Sequence, residues 1–565
     1  MTARRASFWR RHPWLKWMSV SFVLIAAVLG VAAWVVARHT EPFLRSMIVE
    51  VLEDRFHARV ELDSFHISVA HVLTAEGRGL RVWPPAQVAG VTAAPARDAS
   101  DPLIRLAEFH FRMPLRYERG KPFHIAMIRL KGLDIHLPPK SHFGQGAAPS
   151  ASTGSDAKKM DNLISFVVDT VECDAANLLL ETSKPGKLPV DIEIAHLKLT
   201  REGGLNATAP VNFDADVTVP KPHGAAHATG TIGPWNQTDP GESALEGKYT
   251  FDNADLGSFK GIAGTLSSTG NYQGTLRELL VDGDTDTPNF ALTHFGHTMA
   301  LHTHFHAKVD ATNGDTWLEP VNATLGHSQF TAQGQVVRVA ETNPNTPGGL
   351  PAVKGHDIAL HVDLSGARIE DFLYLASKSG NPLLTGALTM KAALHIPPGP
   401  APVHERLNLK GAFNLDDVRF TSAKIQDKIT ELSLRGQGRP KDVKGADPGS
   451  IQSAMQGDFT MGGGVIALPE LTYTVPGANI VMKGTYTLEG GGLDFAGKAK
   501  LNATVSQVVG GVWGVLLKPA DRFFKKDGAG TELPIHVTGT REEPKFGVDF
   551  GHRTVSVDVP KKKTP

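Results

Sequence analysis

The stretch that decides the fold is GTELPIHVTGTREEPKF, residues 530–546, which aligns without a gap with GTLRELLVDGDTDTPNF, residues 274–290. In both copies apolar residues alternate before a glycine, Gly539 or Gly283. Alternation with a period of two places side chains on one face of a strand. A glycine takes the positive φ of a turn at little cost. The pattern therefore predicts a strand, a turn at that glycine and a return strand, written twice. A chance pair of similar hairpins is the alternative, because turn chemistry recurs in β-rich proteins.

Period-two alternation continues through most of the chain after about residue 59. The clearest runs are VNFDADVTV from 211, DIALHVDLS from 357, ALTMKAALHI from 387, NIVMKGTYTL from 479 and LDFAGKAKLNATV from 493. Such alternation is typical of antiparallel strands with one apolar and one solvated face. Only two later stretches are predicted as helices, at 367–377 and 505–526, so few helices are available to cover the apolar faces.

The number of apolar strand faces leaves three ways to bury them. Two sheets can cover each other in a β-sandwich, or one sheet can close into a barrel. The third is an elongated, curled sheet whose apolar interior is a groove. An acyl chain suits such a groove, at about 0.8 kcal/mol per buried methylene. The strand pattern by itself favours the sandwich.

Composition excludes several classes of function. The chain has 565 residues, which predicts more than one module. It has 58 basic and 58 acidic residues, so broad phosphate neutralisation and a nucleic-acid partner are not expected. Its single cysteine, Cys173, rules out an intramolecular disulfide and a cysteine-based metal site. No cofactor is predicted.

The N-terminus carries the strongest local signal. A basic segment at 1–16 precedes the uncharged run WMSVSFVLIAAVLGVAAWVVA at 17–37, which is long enough to cross a bilayer as a helix. The basic flank predicts that this end stays in the cytoplasm. A cleaved signal peptide is the alternative, but its apolar region is ordinarily shorter. A short amphipathic helix is predicted next, within 41–56.

Several segments resemble bacterial AsmA-family envelope proteins. They are FLRSMIVEVLEDRFHARVELDSFHIS at 43–68, GRGLRVWPP at 77–85, VVDTVECDAANLLLETSKPGKLPVDIEIAHLKL at 167–199, and the segments 230–276 and 516–550. The resemblance covers nearly the whole chain. Its motifs are structural glycines, prolines and aromatic residues, with no catalytic signature.

The resemblance implies a single-pass protein of the inner membrane with a periplasmic body of curled, repeating β-sheet. The wider superfamily includes bridge-like lipid transfer proteins, in which an apolar groove conducts phospholipid. The predicted fold class is accordingly mainly β: an elongated, curled antiparallel β-sheet with an N-terminal transmembrane helix and few short helices. The chain is short for a complete bridge without partners. Predicted modules are 38–137, a linker at 138–160, 161–340 and 341–565.

A histidine-rich strand is the sharpest candidate for a chemical site. In HFGHTMALHTHFH, His302, His304 and His306 alternate and so share a strand face. Imidazoles about 7 Å apart along one strand are poorly placed to share an ion without a neighbouring strand. A solvated polar face is the favoured interpretation, with a metal site as the alternative. No H-E-x-x-H or G-x-S-x-G motif occurs, and no enzymatic activity is predicted.

The sequence thus predicts a non-enzymatic, membrane-anchored periplasmic protein that binds acyl chains and takes part in lipid transport and outer-membrane biogenesis. Its predicted partners are membrane phospholipid, the inner membrane and other envelope proteins. A scaffold for outer-membrane protein assembly, pairing strands at sheet edges, is the alternative. A metal-binding enzyme built on the histidine strand is a third. The predicted groove residues are Leu360, Val362, Leu388, Met390, Leu394, Leu407, Leu409, Phe413, Ile480, Met482, Tyr486, Leu493, Phe495 and Leu501.

Overall fold

The computed structural model describes most of the chain beyond residue 58. The described residues are 46, 49–50, 52–53, 59–69, 72–83, 102–114, 123–137, 166–180, 187, 190–205, 209–220, 222–236, 239–342, 351–377, 381–447, 449, 451–509, 530–541, 543–550 and 553–556. The chain divides into two compact units. The first is Met1–Leu179 with Glu193–Asn206, and the second is Leu180–Ile192 with Ala207–Pro565.

The first unit is built from β-strands that pair mostly antiparallel. They are β1 (Val60–Glu61), β2 (Ser64–Val69), β3 (Val72–Val82), β4 (Ile104–Pro114), β5 (Phe123–Ile125), β6 (Met127–Leu137) and most of β7 (Phe166–Leu180); β8 (Val190–Leu205) lies mainly in this unit. β3 pairs with β1, β2 and β4, β4 pairs with β6, and β5 pairs in parallel with β7. Leu62, Phe65 and Ala75 form its small core.

The second unit contains nineteen of the described strands, β9 to β27. They are β9 (Val211–Pro220), β10 (His223–Ile232), β11 (Ala244–Asp255), β12 (Ile262–Ala263), β13 (Thr265–Thr275), β14 (Leu279–Leu292), β15 (Thr298–Asp310), β16 (Asp315–Leu325), β17 (Ser328–Thr342), β18 (Pro351–Arg368), β19 (Leu384–Ile396), β20 (Asn408–Phe420), β21 (Ala454–Gly462), β22 (Val465–Val475), β23 (Ala478–Thr487), β24 (Gly492–Leu501), β25 (Glu532–Thr540), β26 (Pro544–Phe550) and β27 (Arg553–Ser556). Its helices are α1 (Ile369–Leu375), α2 (Val403–Arg406), α3 (Ala423–Gly436) and α4 (Val505–Val509), with 3₁₀ turns at Pro240–Glu242 and Leu256–Ser258.

These strands form one antiparallel meander that curls into a half-barrel. Each strand from β9 to β27 pairs with the next, except that the two-residue β12 pairs with β14 and β11 pairs directly with β13. The prediction of a mainly β, curled antiparallel sheet with few short helices is confirmed. The predicted module boundary between residues 340 and 341 falls inside β17, where both residues pair with β18. The predicted linker at 138–160 lies outside the described residues.

The five strands predicted from alternation are all present. The first three lie within β9, β18 and β19, and the other two form most of β23 and β24. The run from 493 to 505 was predicted too long, because β24 ends at Leu501 and α4 begins at Val505. Glycine triplets contribute to two of the hairpin turns. In one of them Gly463 and Gly464 join β21 to β22, with φ of +57° and +77°. These values are those of a type I′ turn, whose twist matches that of the strands it joins.

The repeated hairpin is real, but the alignment that predicted it was out of register. Gly283 lies inside the continuous strand β14, paired with Gly270 and Phe305, so the turn predicted there is wrong. The turn predicted at Gly539 is confirmed: this glycine has positive φ near the end of β25, and the chain turns directly after it into β26. Its structural counterpart in the first copy is Gly274, near the end of β13.

The two turns share the pattern Gly-Thr-x-x-Glu and the same hydrogen bonds. The Thr275 amide donates to the Glu278 carbonyl, and the Thr540 amide donates to the Glu543 carbonyl. In each turn the glutamate amide also donates to the threonine hydroxyl, over 3.2 Å. A side chain at either glycine would strike that glutamate carbonyl, and both glycines have positive φ. The motif is repeated because the same hairpin geometry is repeated.

The helix predictions had mixed outcomes. The helix predicted at 367–377 is confirmed as α1, and the described start of the one predicted at 505–526 is α4. The expectation of only two later helices was wrong, because it missed α2 and α3. The predicted anchor at 17–37 lies outside the described residues. Among the helices that the structure describes, none has the length and apolarity needed to span a bilayer.

Candidate functional site

Strand register gives the sheet of the second unit one apolar and one polar face. On the apolar face, cross-strand pairing aligns a row of side chains that we call the core row: Leu388, Leu415, Met455, Tyr473, Ile480 and Ala499. Five of the six are buried, and Met455 packs against them. Helix residues pack against the buried cluster that contains this row: Ile369, Phe372 and Leu373 of α1, Ile429 and Leu432 of α3, and Val508 of α4.

A second row on the same face lies beyond this helix-covered core. We call it the distal row: Leu360, Leu394, Leu409, Met461, Ile466, Tyr486 and Leu493, each paired with the next across β18 to β24. None of the seven belongs to the buried core cluster or to the apolar residues packed against it. Met461 is buried, and the other six are half-buried. At about 4.8 Å between strands, the row is roughly 29 Å long.

The predicted groove residues all lie on or beside the apolar face, at different depths. Leu388, Ile480 and Leu501 are in the buried core cluster; Val362, Met390, Phe413 and Met482 pack against it; Leu360, Leu394, Leu409, Tyr486 and Leu493 are in the distal row; Phe495 is buried between the rows; and Leu407 follows α2, outside the strands. The sequence prediction did not include Met461 and Ile466, although a hairpin with its turn at the glycines between them places these two residues opposite each other.

Glycines and aromatic rings fit together where the apolar face crosses β11 to β15. Tyr249 pairs with Gly270, and its ring lies over the glycine, so a Cβ at Gly270 would come within 2.8 Å of Tyr249 Cε1. The Tyr249 hydroxyl lies 3.0 Å from Ser268 Oγ, which donates to the Asp284 carbonyl. Burial raises the pKa of Tyr249. Rings that cover cross-strand glycines stabilise strands that would otherwise have little to pack.

On the polar face, β14 and β15 place a row of aspartates opposite a row of histidines. Asp286 is paired with His302, Asp284 with His304 and Asp282 with His306. Their carboxylates contact the imidazoles: His302 Nδ1 lies 2.7 Å from Asp286 Oδ1, His304 Nδ1 lies 2.9 Å from Asp284 Oδ1, and His306 Nδ1 contacts Asp282 Oδ2. The sequence prediction named the histidines and missed the acids. The signal was DGDTD in the repeated stretch, whose alternation matches that of the histidines.

This polar face is also concave around the histidines. A cavity of about 770 Å³ is lined by His302, His304, Asp284 and Asp286, together with polar residues of β13 to β18 and with Ala323 and Phe330. Most of these residues belong to the polar face, so the cavity differs in chemistry from the apolar rows.

Comparison with known proteins identifies no family for this chain. No protein-family model matches it, no curated protein matches it, and no solved structure matches it.

Proposed function

We propose that the apolar face of the second unit binds the acyl chains of membrane phospholipid along the distal row, and that the protein thereby takes part in lipid transport and outer-membrane biogenesis. The proposal keeps residues 17–37 as an inner-membrane anchor and the rest as a periplasmic body. It supposes no enzymatic step.

The observation that carries the proposal is the contrast between the two rows. Helices α1, α3 and α4 supply apolar side chains to the buried cluster that contains the core row, whereas the distal row lies outside that cluster. Its side chains are aliphatic apart from Met461 and Tyr486, and six of the seven are half-buried. A hydrocarbon chain laid across them would gain about 0.8 kcal/mol for each methylene removed from water.

The resemblance to AsmA-family proteins supports the same proposal from the sequence. It stays a prediction, as does the inner-membrane location. A scaffold that pairs client strands would use the sheet edges rather than this face. The ligand of the chain, protein or lipid, therefore distinguishes the two functions.

The test is the identity of what copurifies with the full-length chain. The chain is extracted in detergent, and organic-solvent extracts are analysed by mass spectrometry for phospholipid per mole of protein. We expect a stoichiometric amount in the wild type and a loss in Leu394→Asp. Ala393→Asp, an exposed neighbour on the opposite face, is the matched control and should retain lipid. A folded wild type with no lipid above the level of a control membrane protein would refute the proposal, as would copurification of a strand-pairing protein alone.

A further inference from the structure

The His–Asp ladder on the polar face contains a three-residue cluster with the geometry of a metal site. One nitrogen of His304, one nitrogen of His306 and one carboxylate oxygen of Asp282 all lie within 4.8 Å of one another. Two ligands of a single tetrahedral zinc ion lie roughly 3.3 Å apart, because each is 2.0–2.1 Å from the metal. Small side-chain rotations would bring all three atoms to that spacing.

His304 is already oriented for this role by a second carboxylate. Its Nδ1 lies 2.9 Å from Asp284 Oδ1, and its Nε2 lies 4.0 Å from Asp282 Oδ2. When Nδ1–H donates to Asp284, Nε2 is left with its lone pair, aimed toward Asp282. Metal-binding histidines in proteins are characteristically held in this way, by a carboxylate on the other ring nitrogen. The 4.0 Å gap is too long for a hydrogen bond, and a small movement of either side chain would bring it to the spacing of two zinc ligands.

The local charge balance also favours a cation. Within the described ion pairs, Asp282, Asp284 and Asp286 contact only imidazoles, and neither lysine nor arginine reaches them. The flanking strands place neutral groups beside them, such as Asn271 opposite Asp282 and Asn322 opposite His304. A divalent ion at this position would compensate the negative charge of these carboxylates.

We propose that Asp282, His304 and His306 bind a divalent transition-metal ion, with zinc as the representative, and that Asp284 positions His304. Two nitrogen ligands and one oxygen ligand favour zinc, copper, nickel or cobalt over calcium and magnesium, which prefer oxygen alone. Because the cluster lies on the solvated face, water would complete the coordination. The site is independent of acyl-chain binding, which uses the opposite face.

His302 provides a matched control within the same ladder. It lies on the same strand and face, pairs with Asp286 in the same way, and is outside the cluster. Replacing it removes one exposed imidazole without removing a proposed ligand. This matters because the chain has 24 histidines, several of them exposed, that could hold metal loosely.

The experiment is zinc binding to the tag-free, full-length chain by equilibrium dialysis with elemental analysis. After chelator treatment, we expect one tightly bound zinc per wild-type chain and per H302Q chain. H304Q and H306Q should lose it, and D284N should bind about 10–100-fold more weakly. Circular dichroism would establish that the variants remain folded.

Two results would overturn the proposal. One is a wild type that binds no stoichiometric zinc. The other is an equal loss in H302Q and H306Q, which would assign the binding to imidazoles in general. Calcium should not displace the zinc, and displacement by calcium would contradict the proposed ligand set.

Discussion

Leu388 and Leu394 lie on the same face of β19, six residues apart, but only Leu388 belongs to the helix-covered core. Leu388 is 4% exposed, whereas Leu394 is half-buried and pairs with Leu360 and Leu409 in the distal row. At about 3.3 Å per residue, they are roughly 20 Å apart along the strand. The apolar face of the sheet therefore includes a helix-covered core around Leu388 and, around Leu394, a surface outside that core.

The same charged substitution should have different consequences at these two positions. Leu388→Asp should destabilise the second unit by at least about 3 kcal/mol, because it places an unpaired carboxylate in the core. Leu394→Asp should leave the chain folded and reduce its bound lipid. Thermal unfolding followed by circular dichroism measures the first effect, and lipid per chain measures the second. Equal destabilisation by both substitutions would mean that the distal row is a covered core as well.

Gly270 should tolerate no side chain. A Cβ there would lie 2.3 Å from the Asp282 carbonyl oxygen and 2.8 Å from Tyr249 Cε1. Because one contact is with backbone, Gly270→Ala should cost about 1–3 kcal/mol, measured by urea denaturation. Gly492→Ala is the control, since the nearest atom to its Cβ would be Thr487 Cβ at 3.7 Å. If both variants are equally stable, the close glycine–tyrosine packing is not as described.

Lys187 should stabilise the second unit through contacts with residues that are distant from it in the sequence. Its Nζ lies 2.9 Å from Asp315 and donates to the Arg338 carbonyl over 2.9 Å. The side chains of Lys187 and Asp315 are only 16% and 7% exposed. Lys187→Met should therefore destabilise the second unit by about 3–5 kcal/mol, because the buried Asp315 carboxylate loses its lysine partner and keeps the hydrogen bond from the Arg338 amide.

The control for Lys187 is an exposed lysine with a similar partner. Lys308 pairs with Glu278 at 2.6 Å, but both side chains are at least 40% exposed. Lys308→Met should change stability by no more than about 1 kcal/mol. Urea denaturation of the two variants compares them directly, and an equal effect would refute the buried role of Lys187.

Cys173 should be unreactive in the folded first unit. Burial, and then the nearby charge of Asp174, raise the pKa of the Cys173 thiol to about 11. Iodoacetamide should label it slowly at pH 8 in the native chain and readily in urea, because the thiolate is the nucleophile. Rapid native labelling at pH 8 would contradict the burial of this thiol.

The same shift predicts the direction of an alkaline effect on stability. An unfolded cysteine has a pKa of about 8.5, so the unfolded chain loses this proton first as the pH rises. The folded chain then holds more protons, and its stability falls with pH between about 9 and 11. Cys173→Ala should have a shallower decline over this range in urea denaturation at several pH values.

Several of the strands could be predicted from the sequence, and some of the turns could not. Alternation located β9, β18, β19, β23 and β24 because each has one apolar and one solvated face. It did not set the register of the repeat, since GDTDT around Gly283 looks like a turn although cross-strand pairing keeps it in β14. Helix α3 was missed although Ile425, Ile429 and Leu432 have helical spacing.

The candidate sites differ in what the sequence can reveal. Alternation along each strand made the residues of the apolar face predictable. It did not show which of them helices would cover, because that depends on where α1 and α3 pack. The histidines of β15 were visible in the sequence, whereas their partners were not. Asp282 and Asp284 come beside them only through the pairing of β14 with β15.

The most direct test of acyl-chain binding is photocrosslinking from neighbouring residues that point to opposite faces. A photoreactive phenylalanine analogue is placed at Leu360, Leu394 or Leu493, and at the exposed neighbours His361, Ala393 or Asp494, in the full-length chain in cells. We predict lipid adducts from the first three positions and none from the second three. Equal lipid labelling from both faces, or no lipid adduct at any distal-row position, would contradict the account.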